Sequence, residues 1–464
     1  MFLGQTDPRN GDLRIAVPPN KRPRFTSGSE AECTLDSLQP IATINPPGPS
    51  GSGFFSFTTP IHCTSVMSLN NPRIERITIH HGKLDRSQSR LGSGWYITVV
   101  EIEAGGVSGF GEAGITYYPA AAAAPLVAEK LASAVLLGAD PMRNIRLWEK
   151  MAGCVDGAYH GGACGFGAVS ACDVALWDLK GKLLGQPVYN LLGGACHENL
   201  RAYANGWCYR KETPEEYAEA ARAVVAAGYN AMKFDPWRYD EGEFKEHPAP
   251  GKSRTRKWMQ IALDRVAAVR EAVGPDIDLI LEAHGKFTPH TAIEIGRRYA
   301  EYDFLFYEEP IKTIDPEVMR RVADQQPIPV ATGERIVREA EFRSYCDRQA
   351  MALAQPDVGV CGGITASARM AAHAAHYKIG FQPHNSALGL NTAAAYQLCA
   401  AQPNFVIQET FPFRPDDWYD MLEDPYEKRI VDGYLPLPTT PGLGVAVNRD
   451  WLGRFDQLVV ESSS

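Results

Sequence analysis

The sequence predicts an α/β protein, a (β/α)8-type barrel (a modified TIM barrel) preceded by an α+β N-terminal capping domain. Two observations carry this prediction. From about residue 200, apolar strand-like runs alternate with helical segments, and three glutamates recur every 26 residues at the ends of such runs. One strand, one helix and two short loops together take about 25–30 residues, so this spacing is one β/α unit. The candidate strands are residues 201–204, 230–235, 278–282, 304–308, 329–333, 351–356, 378–383 and 404–408.

The three recurring glutamates are Glu282, Glu308 and Glu334. Because they stand at the same point of three successive units, they should converge at the catalytic end of the barrel. One interpretation is an ion-pair network without a metal. The favoured interpretation is a site for a hard divalent cation, Mg²⁺, which takes oxygen ligands.

The chain divides into segments of different composition. Residues 1–66 are rich in Pro, Gly, Ser and Thr and predict a flexible arm. Residues 67–195 predict the capping domain, residues 196–432 the barrel, and the tail from about 433 to 464 is expected to pack back on the capping domain. The polar insertion 236–257 follows the second barrel strand and predicts a lid or specificity loop.

Local patterns refine this division. In the capping domain we expect strands at 74–79 and 95–102, a turn at 109–114, and helices near 119–137 and 162–184. In the barrel, Thr213, Pro214 and Glu216 form the signature of a capping box with Pro at the first helical position. Eight candidate strands at this spacing predict a barrel that is either complete or one helix short.

Composition limits the partners. The 464 residues are 45% hydrophobic and 22% charged, as in a globular protein. A net charge of −9 without a dense basic run argues against nucleic acid and anionic membranes. Ten scattered cysteines without CxxC pairs predict reduced thiols in the cytoplasm. The sequence contains no pattern typical of a membrane-spanning helix, a secretory signal or a glycine-rich nucleotide-binding loop.

Two histidines follow the same barrel register. His284 lies two residues after Glu282, and residues i and i+2 of a strand point the same way. Asp357 and His384 end neighbouring candidate strands 27 residues apart, which predicts a carboxylate–imidazole pair. A lone histidine at a strand end is structural about as often as it is catalytic. These two histidines are predicted to lie beside three carboxylates, which favours a catalytic role.

Three further polar residues end predicted strands. Glu409 follows the eighth, and Lys233 and Asp235 end the second. Taken alone, each could contact a ligand or form a loop ion pair.

Several linked motifs resemble the enolase superfamily, and within it the mandelate racemase-like branch and the galactonate dehydratase-like acid-sugar dehydratases. The resemblance runs from about residue 73 to about residue 450. It rests on Ala175-Leu-Trp-Asp-Leu-Lys-Gly-Lys, Glu308-Glu-Pro, Thr332-Gly-Glu, Gln355-Pro-Asp, Cys361-Gly-Gly-Ile and Pro383-His.

The resemblance implies a role for each residue. Mg²⁺ would be bound by Glu282, Glu308 and Glu334. His384 with Asp357 would be the base, His284 the general acid, and Glu409 a hydrogen-bond partner of the developing enediolate, while Lys233, Asp235 and Glu309 would contact the substrate. It also implies a homo-oligomer.

Two positions depart from the family pattern. Racemase-type relatives carry a Lys-x-Lys pair at Lys233, but here the second member is Asp235. This departure weakens a racemase interpretation, which needs a base on each face of the substrate. Glu282 stands where many members have Asp, which adds one methylene without changing the ligand chemistry.

The activity implied is that of a Mg²⁺-dependent dehydratase, which removes the proton next to the carboxylate of a sugar acid and eliminates the β-hydroxyl to give a 2-keto-3-deoxy acid. An epimerase, racemase or cycloisomerase of sugar acids is the first alternative, and a non-catalytic sugar-acid binding protein the second. Substrate stereochemistry is expected to depend on the insertion 236–257 and on loops near Tyr117, Tyr118 and His160.

Deleting residues 1–66 is predicted to leave the melting temperature and turnover unchanged, because this segment has no core-forming periodicity. Thermal unfolding and sizing of the truncated chain test this. A large drop in melting temperature or a loss of assembly would mean that the arm is structural.

Overall fold

The structure is a computed structural model that describes residues 72–84, 95–114, 119–157, 160–237, 256–312, 315–414 and 418–462. The predicted arm 1–66, residues 238–255 of the predicted specificity loop, and Tyr117 and Tyr118 lie outside the described residues. None of the described helices is long and apolar enough to span a membrane.

The capping domain is built on a four-stranded antiparallel sheet. Its strands are β1 (Arg76–Leu84), β2 (Trp95–Ala104), β3 (Val107–Glu112) and β13 (Asp456–Glu461), in the order β13-β1-β2-β3. The expected turn at 109–114 was wrong, because β3 pairs with β2 along this stretch. The glycines permit close packing instead: a Cβ at Gly109 or Gly111 would overlap the backbone of the adjoining helix.

Four α-helices of this domain lie in the described residues: α1 (Ala124–Leu131), α2 (Asn144–Asp156), α3 (Gly162–Leu184) and α4 (Val188–Leu191). The helix predicted at 162–184 agrees with α3. This helix is buried on nearly its whole circumference, since it lies between the capping sheet and the barrel. An apolar helix of this kind is typical of the interior of a large domain.

Among the described residues, the second sheet contains eight parallel strands. They are β4 (Asn199–Ala204), β5 (Ala231–Phe234), β6 (Asp278–Glu282), β7 (Phe304–Glu308), β8 (Val330–Thr332), β9 (Leu353–Ala354), β10 (Gly380–Phe381) and β11 (Gln408–Thr410). The spatial order is β10-β9-β8-β7-β6-β5-β4-β11, and a parallel bridge from Phe381 to Phe405 joins the two ends. The predicted eighth strand 404–408 was displaced, because regular pairing with β4 begins only at Gln408.

Seven helices follow the barrel strands: α5 (Pro214–Ala226), α6 (Arg256–Val273), α7 (Pro289–Tyr299), α8 (Pro316–Gln325), α9 (Glu339–Asp347), α10 (Gly363–His376) and α11 (Gly389–Ala400). The predicted capping box is present, since Thr213 Oγ1 accepts from Glu216 N at 3.2 Å and Glu216 Oε2 accepts from Thr213 N at 3.0 Å. Among the described residues, the next α-helix after β11 is the short α12 (Arg449–Leu452) in the tail. As far as the described residues show, the barrel is thus one helix short.

The tail connects both sheets. Strand β12 (Tyr434–Pro436) pairs antiparallel with β4, and the chain then crosses to place β13 beside β1. Arg449 Nη1 donates to both carboxylate oxygens of Glu101, at 2.7 and 2.8 Å. Burial alone would raise the pKa of Glu101, but hydrogen bonds from His80, Ser108 and Arg449 lower it to about 2.

Arg449→Met is predicted to lower the free energy of unfolding by about 1–2 kcal/mol at neutral pH, because the Glu101 carboxylate loses a charged donor. The pKa of Glu101 is depressed, so its stabilisation is present above its ordinary pKa of 4.5 and is lost as the pH falls toward about 2. The difference between wild type and variant should therefore shrink over this window. Denaturant titrations at several pH values test this, and a difference independent of pH would contradict it.

Candidate active site

Three glutamates form a row across three neighbouring barrel strands. Glu282 and Glu308 end β6 and β7 and are direct register partners. Glu334 lies two residues beyond β8, after Gly333, whose φ is +144° and where a Cβ would come within 2.8 Å of the Gln355 backbone. One ligand oxygen of each glutamate lies within 4.8 Å of those of the other two. The predicted carboxylate cluster, which we call the glutamate row, therefore exists.

Lys233 of β5 is a buried cation beside Glu282 and Glu308 of the row. Its Nζ contacts Glu308, lies 3.3 Å from Glu282 Oε2 and 2.8 Å from Glu409 Oε1, and the side chain is 2% exposed. Burial lowers the pKa of Lys233, but the surrounding carboxylates of Glu308 and Glu409 raise it well above its ordinary value. Lys233 is therefore charged and enclosed by acidic partners.

The single ammonium of Lys233 does not balance the three buried carboxylates that it contacts, Glu282, Glu308 and Glu409. Burial raises the pKa of Glu308 well above its ordinary value despite Lys233, since Glu282 and Glu409 add like charge. Glu308 Oε2 also accepts a hydrogen bond from Gln355 Nε2 at 2.7 Å. A cluster of carboxylate oxygens with excess negative charge is the donor set that Mg²⁺ prefers.

His384 and Asp357 form the predicted pair at one end of the row. Asp357 Oδ2 lies 2.7 Å from His384 Nδ1, and His384 Nε2 lies 3.3 Å from Glu334 Oε2. Each residue follows its strand, β9 or β10, by three positions. Burial lowers the pKa of His384, but Glu334 and the hydrogen bond with Asp357 raise it to about 10. The aspartate thus fixes one ring nitrogen, and the other faces the glutamate row.

A second imidazole–carboxylate pair lies at the other end. His284 Nδ1 is 2.8 Å from Asp235 Oδ2 and 3.6 Å from Glu282 Oε1. Strand alternation was the wrong reason to expect this proximity, because His284 lies beyond β6 with φ +48°. Lys286 Nζ also contacts Asp235. Burial alone would raise the pKa of Asp235, but Lys286 and His284 lower it to about 2.

Glu409 lies inside β11 and accepts three hydrogen bonds. Their donors are Lys233 Nζ at 2.8 Å, Asn205 Nδ2 at 2.7 Å and Asn385 N at 2.8 Å. Burial alone would raise the pKa of Glu409, but Lys233 and His384 lower it. In this arrangement Glu409 is a carboxylate, which has no proton to donate to a substrate.

The side chains of Glu309 and His160 bond to residues outside the glutamate row. Glu309 is fully buried, and its oxygens accept from Thr332 Oγ1 at 2.5 Å and Arg335 Nε at 3.1 Å. Burial and Glu334 raise its pKa to about 7. His160 is exposed, and its Nδ1 lies 3.0 Å from Arg338 Nη1. Glu309 therefore supports the loop that carries Glu334.

Sequence reasoning missed the polar residues that hold these groups. Lys286, Asn205 and Asn385 each contact an acidic site residue. Lys286 carried a usable signal, because it stands two residues after His284 and four after Glu282. The two asparagines carried none, since a single Asn in a loop has many structural uses.

Comparison with known families agrees with this geometry. Residues 216–451 match the family described as enolase C-terminal domain-like. Residues 92–193 match the mandelate racemase/muconate lactonizing enzyme N-terminal domain. The chain belongs to the enolase superfamily. The predicted fold class and the predicted family are thereby confirmed.

Individual relatives are dehydratases by name. D-galactonate dehydratase of Xanthomonas campestris pv. campestris is 31% identical over 83% of this chain and 94% of its own. D-gluconate dehydratase of Thermoproteus tenax is 37% identical over 62% of this chain, and the match spans 56% of that protein's length. A crystal structure of an enolase superfamily member from Salmonella Typhimurium, 32% identical, superposes with a TM-score of 0.76 over 84% of this chain and 99% of its own. Dehydratases are carbon–oxygen lyases, so the names of these relatives confirm the expected enzyme class.

Glu308→Gln is predicted to weaken Mg²⁺ binding by at least roughly tenfold, because it removes one of the three carboxylates of the glutamate row. Glu309→Gln is the matched control, since Glu309 is the adjacent buried carboxylate but bonds to Thr332 and Arg335 instead. Isothermal titration calorimetry with Mg²⁺ alone measures both variants. Equal affinity in wild type and Glu308→Gln would exclude Glu308 as a ligand.

Proposed function

We propose that this chain is a Mg²⁺-dependent sugar-acid dehydratase. It would remove the proton next to the substrate carboxylate and eliminate the β-hydroxyl, which yields a 2-keto-3-deoxy sugar acid. The names of the relatives support the reaction class and the kind of substrate. The expected homo-oligomer stays a prediction.

The observation that carries the proposal is the placement of two imidazoles at opposite ends of the glutamate row. His384 lies beside Glu334 and His284 beside Glu282, and each is held through Nδ1 by its own aspartate. A β-elimination needs one group that takes a proton and a second that protonates the leaving oxygen. Two separately oriented imidazoles meet this need.

The donor set fits a hard cation. Glu282, Glu308 and Glu334 would hold Mg²⁺, since each offers a carboxylate oxygen that lies within 4.8 Å of those of the other two. When bound, Mg²⁺ supplies positive charge beside the substrate carboxylate, where negative charge develops as the neighbouring proton leaves.

His384 would be the base. With Nδ1 held by Asp357, Nε2 is the nitrogen that can accept the α-proton of the substrate. The high pKa of His384 comes from the nearby carboxylates of Glu334 and Asp357. Compensation of the Glu334 charge would therefore favour the neutral imidazole that a base requires.

His284 would be the acid. Its side chain is 35% exposed, whereas that of His384 is 10% exposed, so it has the more open approach to a substrate hydroxyl. It would donate a proton to the β-hydroxyl as the carbon–oxygen bond breaks. Water leaves, and the resulting enol becomes the 2-keto-3-deoxy acid after it gains a proton at C3.

Lys233 and Glu409 would support this chemistry rather than perform proton transfer. Lys233 is charged and enclosed by three carboxylates, so it has no free electron pair with which to act as a base. Glu409 holds Lys233 and the backbone of Asn385, the residue after His384. Its expected hydrogen bond to the enediolate would require a proton that this arrangement does not favour.

An epimerase of the same substrate class is the second candidate. The observation in its favour is the second imidazole–carboxylate pair, because His284 with Asp235 could return a proton to the opposite face of the α-carbon. Exchange of the C2 proton without loss of water distinguishes this reaction from dehydration.

The two histidines provide the test. With a sugar acid that the wild-type chain turns over, His384→Asn should reduce both C2 deuterium exchange and product formation by at least about 10²–10⁴-fold. His284→Asn should block product formation to a similar extent while C2 exchange with solvent persists. Nuclear magnetic resonance of the substrate in D₂O measures exchange, and a colour assay for 2-keto-3-deoxy acids measures product.

His373→Asn is the control, since His373 pairs with Asp347 on the barrel surface and should leave both rates unchanged. If His284→Asn abolishes exchange while His384→Asn retains it, the two roles are reversed. Dehydration at the wild-type rate by both variants would contradict the mechanism.

A further inference from the structure

Residues 112–114, where β3 of the capping domain ends, contact both barrel loops that carry the His384–Asp357 pair. We propose that this segment, with Glu112 as its principal group, positions the base, so that the capping domain sets the geometry of proton abstraction. This inference rests on the proposed function. Glu112 is a positioning residue, because it acts through other side chains.

Glu112 caps a barrel helix from another domain. Its Oε1 accepts from Leu388 N at 2.5 Å and its Oε2 from Asn391 N at 3.1 Å. These donors lie at the start of α11, whose own N-cap residue, Leu388, provides no side-chain cap. The first N–H groups of a helix lack partners within the helix, and a carboxylate is their most favourable acceptor. Glu112 therefore fixes the end of the loop that begins with His384.

A relay of hydrogen bonds continues from this helix end to the base. Asn391 Nδ2 lies 3.3 Å from Asp357 Oδ1, and Asp357 Oδ2 lies 2.7 Å from His384 Nδ1. Asn391, Asp357 and Glu112 are each no more than 2% exposed, so water cannot readily replace these contacts. A shift of Glu112 would pass through Asn391 to the carboxylate that orients the imidazole.

The second base-bearing loop is held by the same segment. Gly114 N donates to Gly359 O at 2.8 Å, and Gly359 N donates to Asp357 Oδ1 at 2.8 Å. A Cβ at Gly114 would lie 3.0 Å from Asp357 Oδ1, so the two backbones meet directly beside the aspartate. Both members of the dyad thus depend on residues 112–114.

A purely structural role for Glu112 is the competing interpretation, and the chain offers a matched control for it. Asp178 is also a buried carboxylate of the capping domain that joins two elements, because it accepts from Phe110 N at 2.9 Å and Leu443 N at 2.8 Å. Neither donor belongs to a base-bearing loop. Loss of Asp178 should therefore cost stability without changing the base.

The experiment compares Glu112→Gln, Glu112→Ala, Asn391→Ala and Asp178→Asn in the full chain with Mg²⁺. Misplacement of a catalytic group typically costs up to about 10²-fold in rate. For both Glu112 variants and for Asn391→Ala we expect kcat and C2 deuterium exchange to fall together by roughly 10–100-fold, with KM and Mg²⁺ affinity unchanged. Gln should retain more activity than Ala, because its carbonyl can still accept one N–H. Asp178→Asn should lower the melting temperature but keep the wild-type kcat.

Hydrogen–deuterium exchange followed by mass spectrometry gives a readout that needs no substrate. Glu112→Gln should speed amide exchange in residues 357–362 and 384–392, and Asp178→Asn should not. A wild-type chain that turns over no sugar acid would refute the proposed function while this readout still tests the positioning contacts.

Three results would overturn the proposal. They are wild-type kcat in folded Glu112→Ala, an equal kcat loss in Asp178→Asn, or a loss of product formation while C2 exchange persists. Should both Glu112 variants fail to fold, Asn391→Ala decides alone, because it removes the side-chain link to Asp357 while the backbone cap on α11 is kept.

Discussion

Buried carboxylates repel one another unless a cation compensates their charge, and this constraint governs the whole site. Glu282 and Glu308 face each other across adjoining strands, Glu334 completes the row, and Lys233 supplies one positive charge. Removal of a single partner from such a cluster leaves uncompensated charge in a medium that solvates it poorly. The barrel must therefore hold Lys233 and the three glutamates in register, and it does so through strands β5 to β8.

The rest of the architecture places proton-transfer groups around that row. Each of the two imidazoles is held by an aspartate from a neighbouring strand, so their ring orientations do not depend on one another. The capping domain contributes to the His384 side through Glu112 and Gly114. The capping domain and the barrel are consequently joined beside His384. The position of this base must be accurate there, because a small displacement of a base strongly changes the rate of proton transfer.

Much of this could be predicted from the sequence, because period and spacing follow from backbone geometry. The 26-residue recurrence of Glu282, Glu308 and Glu334 gave the barrel and the carboxylate cluster, and the 27-residue step from Asp357 to His384 gave the dyad. The eighth strand was displaced because an apolar run does not reveal where pairing begins. Strand β3 was mistaken for a turn, since the same glycines that favour turns also allow a helix to approach a sheet.

The contacts that cross between distant segments could not be predicted. Glu112 meets Leu388 and Asn391 across more than 270 positions of the chain, and no local pattern encodes that meeting. The conformation of His284 was equally inaccessible, because a positive φ in a non-glycine residue depends on surrounding contacts. Long-range polar contacts of this kind decide how each ionisable group behaves.

The most direct measurement of the central claim is turnover of a library of mono- and diacid sugars by the full chain. The reaction is run with Mg²⁺ and again after chelation of divalent cations, and the detected product is a 2-keto-3-deoxy acid. The account predicts Mg²⁺-dependent formation of a 2-keto-3-deoxy acid from at least one sugar acid, and no product after chelation. Product formation that is unaffected by chelation, or tight Mg²⁺ binding without turnover of any member of the library, would contradict it.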